Sequence, residues 1–288
     1  MTSTSAPADN KRAKLDIGIL THNGTHHADE ALAVNLLRKL PKFKDLPLTR
    51  TRDPALIQQA QIVVDVGAEY DEKRQRFDHH QRGFEETFDA EHKTKLSSAG
   101  LVWKHFGFRN HFHSFILPSS SPIIPLLHLK LYDDFIEAID GIDNGIPQYT
   151  STPAYKSKTD LSSRISYLNP NWNESSNDQD GMIRFEKASK LAGEEFFDRL
   201  DYNIKAWLPA REIVLKALEE RKNVEGGDKG GRVLDHLFTL ESTLSIPEDE
   251  KPLYVVYPDE SSKWRIQCVQ FRLILSLLGN LFLNNGEV

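Results

Sequence analysis

The 288-residue sequence has a single cysteine, Cys268, so it cannot form a disulfide bond within the chain. This scarcity suits a reducing compartment. We therefore expect an intracellular protein, with nucleus, cytoplasm and mitochondrion left open. A metal site in this chain would use nitrogen and oxygen ligands rather than a set of thiolates.

The sequence also lacks a long apolar run and an excess of basic residues. Its most apolar stretch, Phe271 to Leu283, is interrupted by Arg272 and Asn280 and is too short to cross a bilayer. The 36 Lys and Arg residues face 42 Asp and Glu residues, a net charge of −6. That balance argues against broad, non-specific coating of nucleic acid, which depends on phosphate neutralisation. We expect no membrane association and only local contact with nucleic acid.

Short apolar strands alternate with helical patterns after a Ser/Thr/Ala-rich stretch, residues 1–14, which we predict to be a disordered tail. Strands are predicted at 15–20, 48–52 and 62–66, with intervening helices at 29–40 and 55–60. This order predicts an α/β fold, in which a parallel sheet carries helices on both faces. We place this domain at residues 15–200 and an incomplete, smaller α+β domain at 201–288.

The rest of the chain is less regular. Helices are expected at 97–106, 126–139 and 181–222, the last broken at Pro209. A loop is expected at 110–125 and a glycine-rich linker at 226–231. The last predicted elements are strands at 233–240, 253–257 and 264–269.

Carboxylates and imidazoles gather where the predicted strands end. Asp65 lies in the apolar run 62–67, where a buried carboxylate needs a proton, a cation or several donors to compensate it. His79 and His80 follow Asp78, and another cluster, 22–30, follows the first strand. Ligands in such folds bind at the carboxyl ends of the strands, so we expect the clusters to converge. Together they offer enough ligands for more than one metal ion, which indicates phosphoester hydrolysis.

Several motifs make the chain similar to a known family. They are THNGTHHADEALA at 21–33, VVDVG at 63–67, FDHHQRGF at 77–84, KLSSAGLV at 95–102 and FIEAIDGIDNGI at 135–146. The sequence resembles the Myg exonuclease family of the DHH phosphoesterase superfamily, which also contains RecJ nucleases and type II inorganic pyrophosphatases. The resemblance implies a DHH domain at 15–200 and a 3′–5′ exonuclease acting on RNA or short oligonucleotides.

The resemblance further implies two divalent cations, expected to be manganese with magnesium as the alternative. The implied metal ligands are His22, His27, Asp29, Asp65, His79 and Asp143. Asp65 would bridge the two cations and take part in catalysis, and His80 would face the substrate phosphate. Asp140 is an alternative to Asp143 and could equally end a helix. His26 stands where the family tolerates an apolar residue and is left out.

Two arginines are candidates for holding phosphate oxygens through forked hydrogen bonds, namely Arg82 and Arg164. For Arg164 a structural salt bridge is the alternative interpretation. The sequence leaves the number of subunits open.

The sequence departs from the family pattern at residues 109–125 and after Val269. The second departure predicts a truncated second domain and puts substrate binding and turnover in question. Two further functions therefore stay open. One is hydrolysis of pyrophosphate or a short dinucleotide, and the other is a catalytically inactive, metal-binding regulatory protein.

Overall fold

The computed structural model describes residues 17–107, 121, 123–175, 177–220, 234–258 and 261–269. The predicted tail at 1–14, the predicted linker at 226–231 and the divergent segment 270–288 lie outside these residues. The chain divides into two compact units, Met1–Leu200 and Asp201–Val288.

The first unit contains a five-stranded sheet with the order β2-β1-β3-β5-β4. Its strands are β1 Ile19–Thr21, β2 Leu48–Arg50, β3 Ile62–Val64, β4 Tyr70–Asp71 and β5 Arg76–Phe77. The first three match predicted strands, and β1, β2, β3 and β5 run parallel to one another. The α/β fold is thus confirmed. Strand β4 pairs with β5 in the antiparallel direction and forms one edge of the sheet. The sequence analysis did not predict this pair.

Side chains on both faces of this sheet are buried. Leu20 and Val63 pack with Ile57 of helix α2, Pro54–Gln59. Successive strand residues point to opposite faces, so Ile19 and Ile62 face the other way, and both are fully buried. Helix α1, Ala28–Arg38, contacts β3 and carries an almost continuously buried surface.

One of the remaining helices of this unit begins earlier than the sequence predicted. They are α3 Ser98–Val102, which continues as a π-helical turn to Gly107, α4 Ile123–Leu131, α5 Glu137–Asp143, α6 Leu161–Ser166 and α7 Asp178–Tyr202. A π-helical turn, Tyr132–Ile136, joins α4 to α5. The prediction of a loop up to residue 125 is wrong at its end, because α4 begins at Ile123. Pro125 lies in the first turn, where its missing N–H removes no intrahelical hydrogen bond.

The second unit contains helices α8, Leu208–Glu220, and α9, Leu234–Thr243. The predicted strand at 233–240 is wrong, because residues 234–240 belong to α9. The predicted break at Pro209 appears as a π-helical turn, Asn203–Trp207, before α8. Strands β6 Tyr254–Pro258 and β7 Trp264–Cys268 match the last two predicted strands, and they pair in the antiparallel direction. Within the described part of the chain, no helix combines the length and apolarity needed to cross a membrane.

Candidate metal centre

Three adjacent parallel strands of the first unit end at the same edge of the sheet and deliver the polar cluster. His22 follows β1, Asp65 follows β3, and Asp78 with His79 and His80 follows β5. The convergence that the sequence predicted is therefore present. It results from the parallel arrangement, which places all three carboxyl ends at one edge.

Asp65 lies at the middle of the cluster and is almost completely buried. Its backbone has φ 58°, a left-handed conformation that Asp and Asn tolerate better than most residues. Its carboxylate lies 3.2 Å from His22 Nε2 and 3.3 Å from His79 Nε2, and it accepts a hydrogen bond of 3.1 Å from the Ser98 hydroxyl. Burial alone would raise the pKa of Asp65, but both imidazoles hold it below its ordinary value.

His22, His27 and Glu30 form one side of the cluster with Asp65, and all four could offer a ligand atom to one cation. Glu30 lies 3.3 Å from His22 Nε2 and accepts the His27 backbone N–H at the start of α1. Burial lowers the pKa of His22, whereas the carboxylates of Asp65 and Glu30 raise it, with a net value of about 10. Glu30 was not among the predicted ligands.

His79 and Asp143 form the other side. His79 Nε2 lies 3.2 Å from Asp143 Oδ2, while its Nδ1 lies 3.1 Å from the Asn144 side-chain oxygen. Asn144 in turn donates to the backbone carbonyls of Lys95 and Asp140, which fixes its position. The pKa of His79 is lowered by burial and raised by the Asp143 and Asp65 carboxylates, to about 10.

His80 is more exposed and is oriented by Asp78. The Asp78 carboxylate accepts the His80 backbone N–H and lies 2.7 Å from His80 Nδ1. It also accepts the Ala68 N–H, so it is itself held in place. The contact with Asp78 raises the pKa of His80. Asp78, the first residue of the D-H-H triplet at 78–80, thus positions His80, the third.

The charge and the unpaired atoms of this cluster fit a cation. Four carboxylates, those of Asp29, Glu30, Asp65 and Asp143, meet around two buried imidazoles. Burial and the neighbouring carboxylates raise the pKa of Asp29 well above its ordinary value. Among the described residues, Asp29 Oδ1 and His79 Nε2 find no partner with hydrogen-bond geometry, although both are buried. Buried polar atoms of this kind need a ligand, and oxygen with imidazole donors suits a divalent transition metal.

The structure separates the two aspartates that the sequence left as alternatives. Asp143 approaches His79 and shares a possible cation group with His27 and Asp29. Asp140 is fully buried elsewhere, and one of its oxygens accepts hydrogen bonds from the Ser97 backbone, the Ser97 hydroxyl and the Gly100 backbone. Asp140 therefore anchors the start of α3.

The two candidate phosphate-binding arginines have different surroundings. Arg82 is exposed, and within the described ranges its guanidinium forms no ion pair with another residue. Arg164 forms a forked ion pair with Glu195, with one contact at 2.7 Å, and its Nε donates to the Thr159 carbonyl. A phosphate would have to displace Glu195, so the structure favours the salt-bridge alternative for Arg164.

His26 is not part of the cluster, as expected. Its backbone exchanges hydrogen bonds with the Asn169 side chain, and its ring meets Phe185 edge-on. Burial lowers the pKa of His26 to about 4, so the ring is neutral and packs as a core residue.

A cleft of about 390 Å³ opens onto the cluster. The predicted site residues on its lining are His27, Asp29, His80 and Asp143. The opposite part of the lining consists of residues that the sequence analysis did not single out, namely Lys158, Ser162, Ser163, Ser166 and Tyr167. They come from a loop and the short helix α6, whose sequence carries no recognised motif.

Comparison with known proteins places the chain in a family. A family model named for MYG1 exonucleases and described as "Uncharacterised protein family (UPF0160)" matches residues 18–273. The chain is 44% identical to the MYG1 protein of Dictyostelium discoideum over 269 residues, which covers 90% of this chain and 80% of the relative. It is 43% identical to the MYG1 exonuclease of Homo sapiens over 265 residues, covering 86% and 69%. The MYG1 exonuclease of Rattus norvegicus is 42% identical over 276 residues, covering 91% and 71%. No solved structure matches the chain.

Proposed function

The chain belongs to the MYG1 exonuclease family, and from this membership and the polar cluster we propose that it is a metal-dependent hydrolase of phosphodiester bonds in nucleic acid. In its finer form, the proposal is a 3′–5′ exonuclease that acts on RNA and uses two divalent cations, with manganese as the expected metal. The ligands would be His22, His27, Asp29, Asp65, His79 and Asp143, with Glu30 added on the side of His22.

One observation carries the proposal. Asp65 belongs to two groups that could each hold a cation, one with His22, His27 and Glu30 and one with His79 and His80. Each of its oxygens approaches a different imidazole, Oδ2 towards His22 and Oδ1 towards His79. A carboxylate placed in this way suits a shared ligand between two cations.

The bound cations would supply the charge that stabilises the attacking and leaving oxygens of an in-line displacement. The protein residues have separate tasks. Asp78 holds the His80 ring through Nδ1, and the raised pKa of His80 favours the protonated ring, which can donate to a phosphate oxygen at the cleft. Asn144 keeps His79 turned towards the carboxylates. The buried position of Asp29 and Asp65 limits access of bulk water to their oxygens.

Substitution of the shared carboxylate tests the proposal. Asp65→Asn keeps the size and tolerates the left-handed backbone, whereas Asp65→Ala adds backbone strain. We expect Asp65→Asn to lower kcat on end-labelled RNA with manganese by about 10³-fold or more, because a lost transition-state contact of several kcal/mol has this effect. Circular dichroism should show an intact fold.

The substrate decides between the proposal and its alternatives. Release of mononucleotides from end-labelled RNA supports the exonuclease, and the position of the label that leaves first gives the direction. Cleavage of pyrophosphate or a dinucleotide without cleavage of RNA would favour the small-substrate alternative. Manganese binding in calorimetry without turnover of any phosphoester would favour a regulatory protein. Full RNA cleavage by Asp65→Asn would overturn the proposed centre.

A further inference from the structure

Tyr167 lies between two clefts of the first unit. It contributes to the cleft at the metal centre and also to a second cleft of about 340 Å³. The residue is 66% exposed, and among the described residues its hydrogen bonding is through the backbone N–H, which donates to the Ser163 carbonyl. The phenol ring is therefore available to a ligand that passes from one cleft to the other.

The cleft at the metal centre has a cationic, hydroxyl-bearing wall opposite the carboxylates. Lys158 is exposed and forms no ion pair with any residue that the structure describes. Ser162 and Ser166 add hydroxyl groups on the same wall, while the Ser163 hydroxyl donates to Asp160. An ammonium group and hydroxyl donors are groups that contact phosphate and sugar oxygens without reading base sequence.

The second cleft is lined on one side by basic residues of α7. Arg184 is fixed by hydrogen bonds to the Leu168 carbonyl and to Glu174. Lys187, one turn further along, is exposed and forms no ion pair within the described part of the chain. Asp180 contributes one carboxylate to this cleft, so its lining is mixed in charge, with Lys187 as the cation available to a phosphate.

We propose that the two clefts form one binding track for single-stranded nucleic acid, with Tyr167 stacking a base between the phosphate at the metal centre and the next phosphates beside Lys187. The inference rests on the proposed function and restricts its substrate to single strands. Aromatic faces that alternate with cationic side chains are typical of sequence-tolerant binding to single strands. Pyrophosphate has no base that Tyr167 could stack, and bases in a duplex are already stacked on each other.

The test measures binding separately from cleavage. Asp65→Asn serves as the background, because its expected loss of kcat keeps the RNA intact during a titration, and manganese is present throughout. Fluorescence anisotropy gives Kd for a labelled dinucleotide and for a labelled single strand of about ten nucleotides, a length within the range that single-strand sites cover. The same titrations are repeated with Tyr167→Ala, Tyr167→Phe and Lys187→Gln in that background.

We expect Tyr167→Ala to raise Kd for the long strand by about tenfold, the usual effect of losing one stacked base, and Tyr167→Phe to restore most of the affinity. Lys187→Gln should raise Kd for the long strand more than for the dinucleotide. It should also reduce the slope of log Kd against log salt by about 0.7, the value for one lost phosphate contact on a single strand. The matched controls, Tyr155→Ala and Lys190→Gln, alter an exposed tyrosine and an α7 lysine that line neither cleft and should behave as the parent.

The outcomes separate this inference from the proposed function. Equal Kd values for the long strand in the parent, Tyr167→Ala and Lys187→Gln proteins would overturn the track, even if the wild type cleaves RNA. Length-dependent binding that both substitutions weaken would support the track, even if the wild type cleaves no RNA, in which case only the proposed hydrolysis falls.

Discussion

Asp65 and Asp140 show how the neighbours of a buried carboxylate decide its role. Asp65 faces two imidazoles that keep it ionised. For Asp140, burial outweighs the hydrogen bonds from Ser97 and Gly100, and its pKa rises to about 7. A neutral carboxylic acid at Asp140 is consistent with a structural role, because an ionised group there would have no cation beside it.

The raised pKa of Asp140 predicts a specific dependence of stability on pH. A carboxyl group whose pKa is higher in the folded state stabilises the fold fully below its unfolded value of 3.8 and loses that contribution as pH rises through about 7. Asp140→Asn cannot ionise and keeps an oxygen for the Ser97 and Gly100 donors. We expect the wild type to lose about 2–4 kcal/mol relative to this variant between acid and mildly alkaline pH, from about 1.4 kcal/mol per pKa unit.

Urea unfolding in chelator, repeated across that pH range, measures this difference. Asp134→Asn, an exposed acid nearby, is the matched control and should follow the wild type. If the stability of Asp140→Asn instead runs parallel to that of the wild type at every pH, Asp140 does not hold its proton in the folded state.

For single residues, the sequence identified which side chains could bind a cation better than it identified which side chains contact each other. His22, Asp65 and His79 could be placed because each follows a predicted or motif-bearing strand end. Glu30 was missed because its position at the third residue of α1 is also where a carboxylate accepts backbone N–H groups, which is how it contacts His27. Its second contact, with His22, depends on the turn between β1 and α1, which no spacing rule gives.

Between elements, helix α7 approaches α1 closely at Gly193. A Cβ atom at this position would lie 2.1 Å from Asn35 Oδ1, closer than atoms can pack. Asn35 cannot easily move, because its amide donates a 2.9 Å hydrogen bond to the Ser189 carbonyl. The absence of a side chain at Gly193 therefore sets the distance between the helix that begins at the metal centre and the helix that carries Arg184 and Lys187.

Gly193→Ala tests this packing. The added methyl should displace Asn35 and break its bond to Ser189, at a cost of about 1–3 kcal/mol, which exceeds the gain of about 1 kcal/mol in helix propensity. Gly181→Ala in the same helix is the control, because its Cβ would meet Arg50 at an ordinary 3.8 Å. Urea unfolding should show Gly193→Ala less stable than the wild type and Gly181→Ala at least as stable. Equal stability of the two variants would contradict the packing argument.

The errors in predicting elements have physical causes. The segment from 233 to 240 is short and apolar, and such runs fit a strand or a helix equally well. Leu237 and Leu240, both buried, are three residues apart and lie on one face of α9. Strands β4 and β5 were missed because each has only two residues, although β5 carries the D-H-H triplet into place.

For the whole molecule, the topology of the sheet explains why the candidate site could be predicted and its substrate track could not. Parallel strands bring their carboxyl ends together whatever the loops contain, so motif residues at those ends identify the centre. Lys158, Tyr167 and Lys187 come from later segments, whose placement depends on tertiary packing such as the bonds between Asn169 and His26. Nothing in the local sequence indicates that packing.

All candidate ligands of the centre lie in the first unit, between His22 and Asp143, so manganese should stabilise the folded chain. At a free concentration about 100 times Kd, binding adds about 2.7 kcal/mol, which corresponds to a rise in Tm of about 5–10 °C. Differential scanning calorimetry with and without manganese measures the shift. Asp65→Asn should reduce it, whereas His92→Gln, in a more exposed His/Asp/Glu group, should preserve it. A shift that disappears in His92→Gln and persists in Asp65→Asn would show that the cation binds in the group around His92. That result would remove the basis of the proposed centre.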